Sequence, residues 1–198
     1  MGIRKTKAPN VPVLGFVDFL LYFHHRSIAN KLYKISIQMD QADKSILEVG
    51  AGRKPNDKYF KNASYVCTDA VDCGGIRQLA DINLLPYKDG CFDLVICNNV
   101  LEHIPTPDKA LGEVFRCLKP GGRLFLVVPF LFPLHDIPYD YFRYTEYSLM
   151  NLLKEWQEVD IKKICWFSGK LLFSYAERFV LYYVVTASKP YAVEADKN

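Results

Sequence analysis

Four short apolar runs recur between residues 45 and 130: 45–51 (SILEVGA), 64–70 (SYVCTDA), 92–100 (FDLVICNNV) and 122–130 (GRLFLVVPF). The last two are too apolar for an edge strand with one wet face, and helical patterns separate the runs. Continuous apolar strands alternating with helices predict an α/β fold with a mostly parallel sheet covered on both faces. One helix has clear punctuation. Thr106 is a candidate N-cap, Pro107 takes the first helical position and Asp108 favours the positive end of the dipole. Ala110, Leu111, Val114 and Leu118 form its apolar stripe, and Lys119-Pro120-Gly121-Gly122 is its expected stop. A second helix should follow Thr145, with Leu149, Leu152, Leu153 and Trp156 on one face, before late strands at 159–167 and 179–188. No internal repeat interrupts the pattern.

A chain of 198 residues fits one domain with an appendage. Half of the residues are hydrophobic and 24% are charged, which suits a sizeable core and excludes general disorder. The net charge of +3 is too small for a phosphate-driven nucleic-acid binder. Its distribution is uneven. Residues 1–34 hold six basic side chains and one acid, a local +5 that leaves the other 164 residues at −2. Six cysteines with no C-x-x-C pair and no nearby histidine cluster argue against a metal site or disulfide scaffold. Buried free thiols in a reducing compartment are expected, hence a cytoplasmic protein with no metal.

The N-terminus resembles a targeting segment in part. Basic residues at 4–7 precede an apolar run at 13–23, and Met1-Gly2 with Thr6 fits the loose myristoylation pattern. Asp18 interrupts the run, His24-His25-Arg26 follow at once, and eleven residues are too few to span a bilayer. Residues 13–39 are therefore expected to form an amphipathic or aromatic-rich helix packing on the main domain, with contact to a peripheral membrane or lipid substrate as the second reading. The expected division is a helical extension at 1–40, acting as a lid or docking element, and a ligand-binding domain at 41–198.

In open parallel sheets ligands bind at the carboxyl ends of the strands, and three of these ends carry chemistry. The first is Glu48-Val49-Gly50-Ala51-Gly52, whose glycines let backbone approach a ligand. The second is Asp69, 19 residues beyond Gly50, which can accept both hydroxyl protons of a ribose. The third is Asp81-Ile82, read as the end of a short third strand, where the acid can accept from an exocyclic adenine amine and Ile82 can cover the ring. A glycine turn with a downstream acid also suits a dinucleotide. That signature wants a further glycine where this chain has Pro55, preceded by Arg53 and Lys54. A ligand with adenine and ribose but no phosphates fits better.

Residues 46–52 (ILEVGAG), Asp69, 79–93 (LADINLLPYKDGCFD), 100–104 (VLEHI) and 118–122 (LKPGG) together resemble class I S-adenosylmethionine-dependent methyltransferases of the small-molecule type. The ordered set spans about residues 45–130, and Lys54 departs from it where another glycine often stands. The resemblance implies a Rossmann-like seven-stranded sheet with its last strand antiparallel, residues 179–188 supplying part of the final hairpin. It also implies S-adenosylmethionine as cofactor. Gly50, Ala51 and Gly52 would line its methionine part, Asp69 its ribose, and Asp81 and Ile82 its adenine. Asn98 would lie beside the methionine group, and Glu48 would shape the glycine loop and reach the cofactor's amino group through water.

Methyl transfer chiefly requires a nucleophile aligned behind the sulfonium, and a hydroxyl nucleophile also needs a proton acceptor. The loop at 129–145 (PFLFPLHDIPYDYFRYT) supplies candidates. His135 is the candidate base, oriented by Asp136 or Asp140, with His103 as a second acid/base. Tyr139, Asp140, Tyr141 and Arg143 are candidate substrate contacts, Arg143 suiting a carboxylate or phosphate. The bland alternative is a loop held by its own aromatic packing and an Asp–Arg pair. The chain has Asn98-Asn99-Val100-Leu101 where nucleobase amino-methylating enzymes place Asn/Asp-Pro-Pro-Tyr/Phe, and basic tracts are missing. A small-molecule, saccharide or lipid-linked acceptor methylated on oxygen is expected, with no nucleic-acid partner; the loop is similar to that of bacterial methyltransferases of surface-polysaccharide synthesis. Two other classes stay open: a dinucleotide-dependent oxidoreductase or epimerase, and a non-catalytic cofactor-binding subunit.

Overall fold

Ile46 and Leu47 are both wholly buried although they point to opposite faces of their strand, which requires cover on each side. The computed structural model describes residues 14–53, 55–72, 78–165 and 180–191. In chain order these form α1 (Leu14–Met39), β1 (Ser45–Val49), β2 (Ser64–Asp69), β3 (Gln78–Leu79), β4 (Phe92–Asn98), α2 (Pro107–Cys117), β5 (Leu118–Pro129), α3 (Glu146–Leu152), β6 (Gln157–Cys165) and β7 (Val180–Ser188). The seven strands make one sheet in the order β3-β2-β1-β4-β5-β7-β6. Pairings from β3 through β5 are parallel. Those of β7 with β5 and with β6 are antiparallel. This is the Rossmann-like sheet expected from the sequence, with the antiparallel hairpin at its end.

Period-two alternation assigns the apolar side chains to two cores. Leu47, Val49, Val95, Cys97, Leu124, Leu126, Val128 and Val185 face one side, where Leu111 and Val114 of α2 and Leu149 of α3 cover them. Ile46, Leu94, Ile96, Phe125, Val127 and Val184 face the other, packed with Ile28, Leu32, Ile35 and Met39 of α1. The second half of α1 is thus part of the core. No helix among the described residues is long and apolar enough to cross a membrane. The basic cluster at 4–7, Lys54, Cys73 and the side chains of 14–25 lie outside the described residues. Cys67, Cys91, Cys97 and Cys117 are free thiols. Burial pushes the Cys97 thiol up, and that of Cys117 up to about 11, so both behave as small hydrophobes.

Several local expectations are corrected. The helix ends at Cys117 and Leu118 already pairs with Phe92, so 119–122 is strand, with a register shift between Phe92 and Leu94. Gly121, at φ +74, lies under the Tyr191 ring, which a Cβ would meet at 2.4 Å. Thr106 stands at the N-cap without capping; its hydroxyl donates instead to Asn83 Oδ1 at 2.9 Å. At α3 the helix follows Thr145 as expected, and Thr145 and Ser148 bond each other's backbone reciprocally as a capping box. The third strand is only Gln78–Leu79, so Asp81 and Ile82 fall in the turn after it. The late strands run from 157 and 180; residues 166, 167 and 179 lie outside the described set.

Asp93 ties three strand starts together. Its carboxylate accepts from Ser45 N–H at 3.0 Å and from the ammonium groups of Lys44 at 3.3 Å and Lys119 at 2.6 Å. Burial pushes the carboxyl up, but Lys119, the Ser45 N–H and Lys44 outweigh it and the net shift is downward. A depressed folded pKa contributes stability above the unfolded value of about 3.9 and loses it as pH falls through the folded one. Asp93→Asn should cost about 1–2 kcal/mol at neutral pH. Urea unfolding across pH 2–7 should show the variant losing less stability on acidification than the parent.

Candidate active site

The strand order reverses at β1, whose neighbours β2 and β4 lead the chain off in opposite directions, and crevices open at such points. A cavity of about 410 Å³ lies there, within the range of small-molecule sites. Its wall includes Val49 and Gly50 after β1, Thr68 and Asp69 at the end of β2, and Asp81 and Ile82 beyond β3. Asn99, Val100, His103 and Ile104 after β4, with Asp136 and Tyr139, complete the far side.

Asp69 is fixed by backbone. Oδ2 accepts from Gly52 N–H at 2.9 Å and Oδ1 from Val71 N–H at 3.0 Å. Each oxygen keeps a second lone pair, so an oriented carboxylate can still accept two hydroxyls of a vicinal diol. Gly50 has φ +61, and a Cβ there would meet Val100 Cγ2 at 2.3 Å, so only glycine fits beside the cavity wall. Asp81 Oδ1 is occupied by Asn83, through its N–H at 2.8 Å and its amide at 3.0 Å. The exposed Asp81 carboxylate nevertheless borders the cavity, and Ile82 is buried in its wall. The turn is anchored from α2, where Glu113 accepts from Leu85 N–H at 2.9 Å and Arg116 donates to the Leu85 and Tyr87 carbonyls. These residues fit an adenosyl ligand: a diol on Asp69, an amine at Asp81 and a ring against Ile82.

Four expected cofactor contacts stand elsewhere. Glu48 is buried away from the cavity and accepts from the Tyr65 hydroxyl and from Asn56, through its N–H at 2.8 Å and its amide at 2.7 Å. Burial pushes its carboxyl up against those bonds. It therefore shapes the glycine loop but does not border the ligand space. Ala51 is buried with its N–H on the Thr68 carbonyl at 3.0 Å, and Gly52 acts through Asp69. Strand alternation turns Asn98 aside, and the next residue, Asn99 at φ 54, borders the cavity. Both Asn98 Oδ1 and Asn99 Oδ1 are buried without a hydrogen-bond partner.

The loop after β5 folds back on a 3₁₀ turn at Leu101–His103. Tyr141 and Phe142 donate backbone N–H to the Glu102 carbonyl at 2.9 and 3.2 Å, and the Tyr144 hydroxyl donates to the Leu101 carbonyl at 3.0 Å. His103 and Asp136 border the cavity. His135 lies behind them, its ring 4.7 Å from that of His103 and its Nδ1 3.2 Å from Asp140 Oδ2. Asp140, rather than Asp136, orients His135. Arg143 is not a free substrate contact: it grips Asp140 at 2.5 and 2.7 Å and donates to the Phe132, Pro133 and Phe142 carbonyls. That guanidinium holds the Asp140 carboxyl well below the usual range. Tyr139 borders the cavity, whereas Tyr141 does not. Glu102, which sequence reasoning missed, is fully buried, and burial pushes its carboxyl up to about 8. Its position beside His103 was the only signal.

Residues 37–126 match the family described as a methyltransferase domain. The ubiquinone/menaquinone biosynthesis C-methyltransferase UbiE of Pseudoalteromonas translucida is 34% identical over 112 residues, 55% of this chain and 39% of that enzyme. Less than half the length of that relative is therefore represented. A 1,6-didemethyltoxoflavin-N1-methyltransferase of Burkholderia thailandensis, solved with S-adenosylhomocysteine, superposes with TM-score 0.61 at 20% identity, covering 93% of both chains. An S-adenosylmethionine-dependent methyltransferase of Archaeoglobus fulgidus gives TM-score 0.62 at 15% identity, over 88% of this chain and 100% of that one. Residues 37–126 are thus similar to a methyltransferase domain, and the sheet has the fold of S-adenosylmethionine-dependent methyltransferases.

Proposed function

We propose that the chain binds S-adenosylmethionine in the β1–β2–β4 cavity and transfers its methyl group to an oxygen of a small-molecule, saccharide or lipid-linked acceptor. One observation carries the choice of cofactor. Among its described residues the link from β1 to β2 makes only a 3₁₀ turn, Asp57–Tyr59, while Asp69 keeps its place. A dinucleotide would need a helix N-terminus there for its diphosphate, and an adenosyl ligand without phosphates does not.

The cofactor supplies a methyl already activated on a sulfonium. The protein's part is to hold the acceptor in line and, for a hydroxyl, to take its proton. On the far side of the cavity from Asp69 and Asp81, His103 and Asp136 are the proton-accepting groups. Leu131, Leu134, Ile137, Tyr139, Tyr141 and Phe142 are all exposed along the adjoining loop, an apolar surface that favours a lipid-linked or otherwise hydrophobic acceptor and a peripheral membrane contact. A ring carbon is the second reading for the nucleophile, because the UbiE relative is named a C-methyltransferase.

Transfer from methyl-labelled donor to lipid-linked saccharides, sugar nucleotides, phenols and quinones tests this directly. Labelled product should form best with the lipid-linked or hydrophobic acceptors, with the label on oxygen. Cofactor binding with no transfer to any of them would leave a cofactor-binding subunit instead.

A further inference from the structure

Glu102 is wholly buried, and neither of its carboxylate oxygens has a hydrogen-bond partner. An unpartnered buried acid is costly, so the two imidazoles turned toward it point to a missing partner that all three groups could share. Two imidazoles face it. His103 Nε2 lies 3.8 Å and His135 Nε2 4.0 Å from Glu102 Oε1, both too far for hydrogen bonds. The other nitrogen of each ring is already held. His103 Nδ1 is 2.8 Å from the Tyr139 carbonyl, and His135 Nδ1 is 3.2 Å from the Pro133 carbonyl and 3.2 Å from Asp140 Oδ2. A ring nitrogen beside these acceptors carries the hydrogen, so Nε2 keeps its lone pair on both rings.

One ligand atom from each of Glu102, His103 and His135 lies within 4.8 Å of the other two. Ligands at about 2.0–2.2 Å from a common ion stand roughly 3–3.5 Å apart, so small side-chain movements close the set. We propose that Glu102, His103 and His135 bind a divalent transition-metal ion of the zinc class. Two imidazoles and a carboxylate select such an ion over magnesium or calcium, which take oxygen ligands. The Nδ1 acceptors, Asp140 above all, are the outer partners that metal-binding histidines use to fix their tautomer. Asp136 Oδ2, 3.9 Å from His103 Nε2 and well exposed, stays outside the set, so that with the ion bound His103 is a ligand and Asp136 is left as the proton acceptor at the cavity. Because His103 and Asp136 border the cavity, the ion would be accessible from it, as in sites that leave a position open for solvent or substrate.

The test uses the full chain, stripped with chelator, re-equilibrated with zinc and desalted before metal analysis, with cobalt(II) as a spectroscopic substitute. One zinc per chain should be retained, and the cobalt spectrum should lack thiolate charge transfer, which sets the six cysteines aside. Glu102→Gln and His135→Gln should each weaken zinc binding by at least ~10-fold, while the double change His24→Gln with His25→Gln leaves it unaltered. His135→Gln, at a half-buried ring, keeps the test decisive should Glu102→Gln fail to fold. No retained zinc, or equal affinity in both site variants, overturns the proposal. S-adenosylhomocysteine titrated into the chelator-treated chain separates the two readings: binding there without zinc retention would sink the metal site alone.

Discussion

Asp69→Ala will lower affinity for S-adenosylhomocysteine by roughly 100-fold or more. The carboxylate is turned to the cavity by Gly52 N–H at 2.9 Å and Val71 N–H at 3.0 Å, one on each oxygen. Two ribose hydroxyls can then donate to the remaining lone pairs. Hydrogen bonds to a charged acceptor contribute about 1.5–3 kcal/mol each, and losing two gives about 3 kcal/mol or more. The alanine variant also frees two backbone N–H groups, so thermal unfolding must accompany the calorimetry. Asp69→Asn separates charge from orientation, since its amide oxygen can keep one of the backbone bonds. Unchanged affinity in a folded Asp69→Ala chain would remove the ribose from this position.

Gly50→Ala will destabilise the chain by about 2–5 kcal/mol, combining left-handed backbone strain with forced overlap. The added Cβ would stand 2.3 Å from Val100 Cγ2 and 2.9 Å from Cγ1, at a backbone φ of +61. The overlap is with one side chain, so it can be relieved. Val100→Ala removes both γ-carbons and should recover the steric part in the double variant while leaving the backbone strain. Urea unfolding of the four-member cycle should therefore give a favourable coupling between positions 50 and 100. Strictly additive effects would mean that the loop moves away from Val100 and that glycine is required there only for its backbone freedom.

The order of strands and helices was legible because burial on both faces leaves continuous apolar runs, and 45–51 and 92–100 belong to β1 and β4 flanked by neighbours. Element ends were less legible where tertiary bonds override local punctuation. Lys119-Pro120-Gly121-Gly122 has the composition of a helix stop, yet Leu118 already pairs with Phe92 and Lys119 reaches Asp93. Gly50, Asp69 and Ile82 were readable as cavity residues since each stands at a strand end or in the turn that follows it. Glu48, read as shaping the glycine loop, holds Asn56 and Tyr65, while after β4 it is Asn99 rather than Asn98 that borders the cavity. The Asp–Arg pair was legible as the alternative reading of the 129–145 loop, and Arg143 on Asp140 realises it; nothing in the sequence tells that a glutamate at 102 is sealed between two histidines 32 residues apart. Those are products of how the 129–145 loop returns to the turn after β4. The +5 of residues 1–34 has likewise split: Lys31 and Lys34 ride on a helix whose Leu32 and Ile35 are core, so removing that whole segment would cost stability as well as any docking role.

The central claim is that the cavity at the β1 switch point takes an adenosyl ligand without a diphosphate. Isothermal titration of the full chain with S-adenosylhomocysteine and, separately, with NAD measures this directly. One molecule of S-adenosylhomocysteine should bind per chain, with no heat from NAD at the same concentrations and with binding abolished or strongly weakened in Asp69→Ala. Saturable NAD binding with none of S-adenosylhomocysteine would contradict the account.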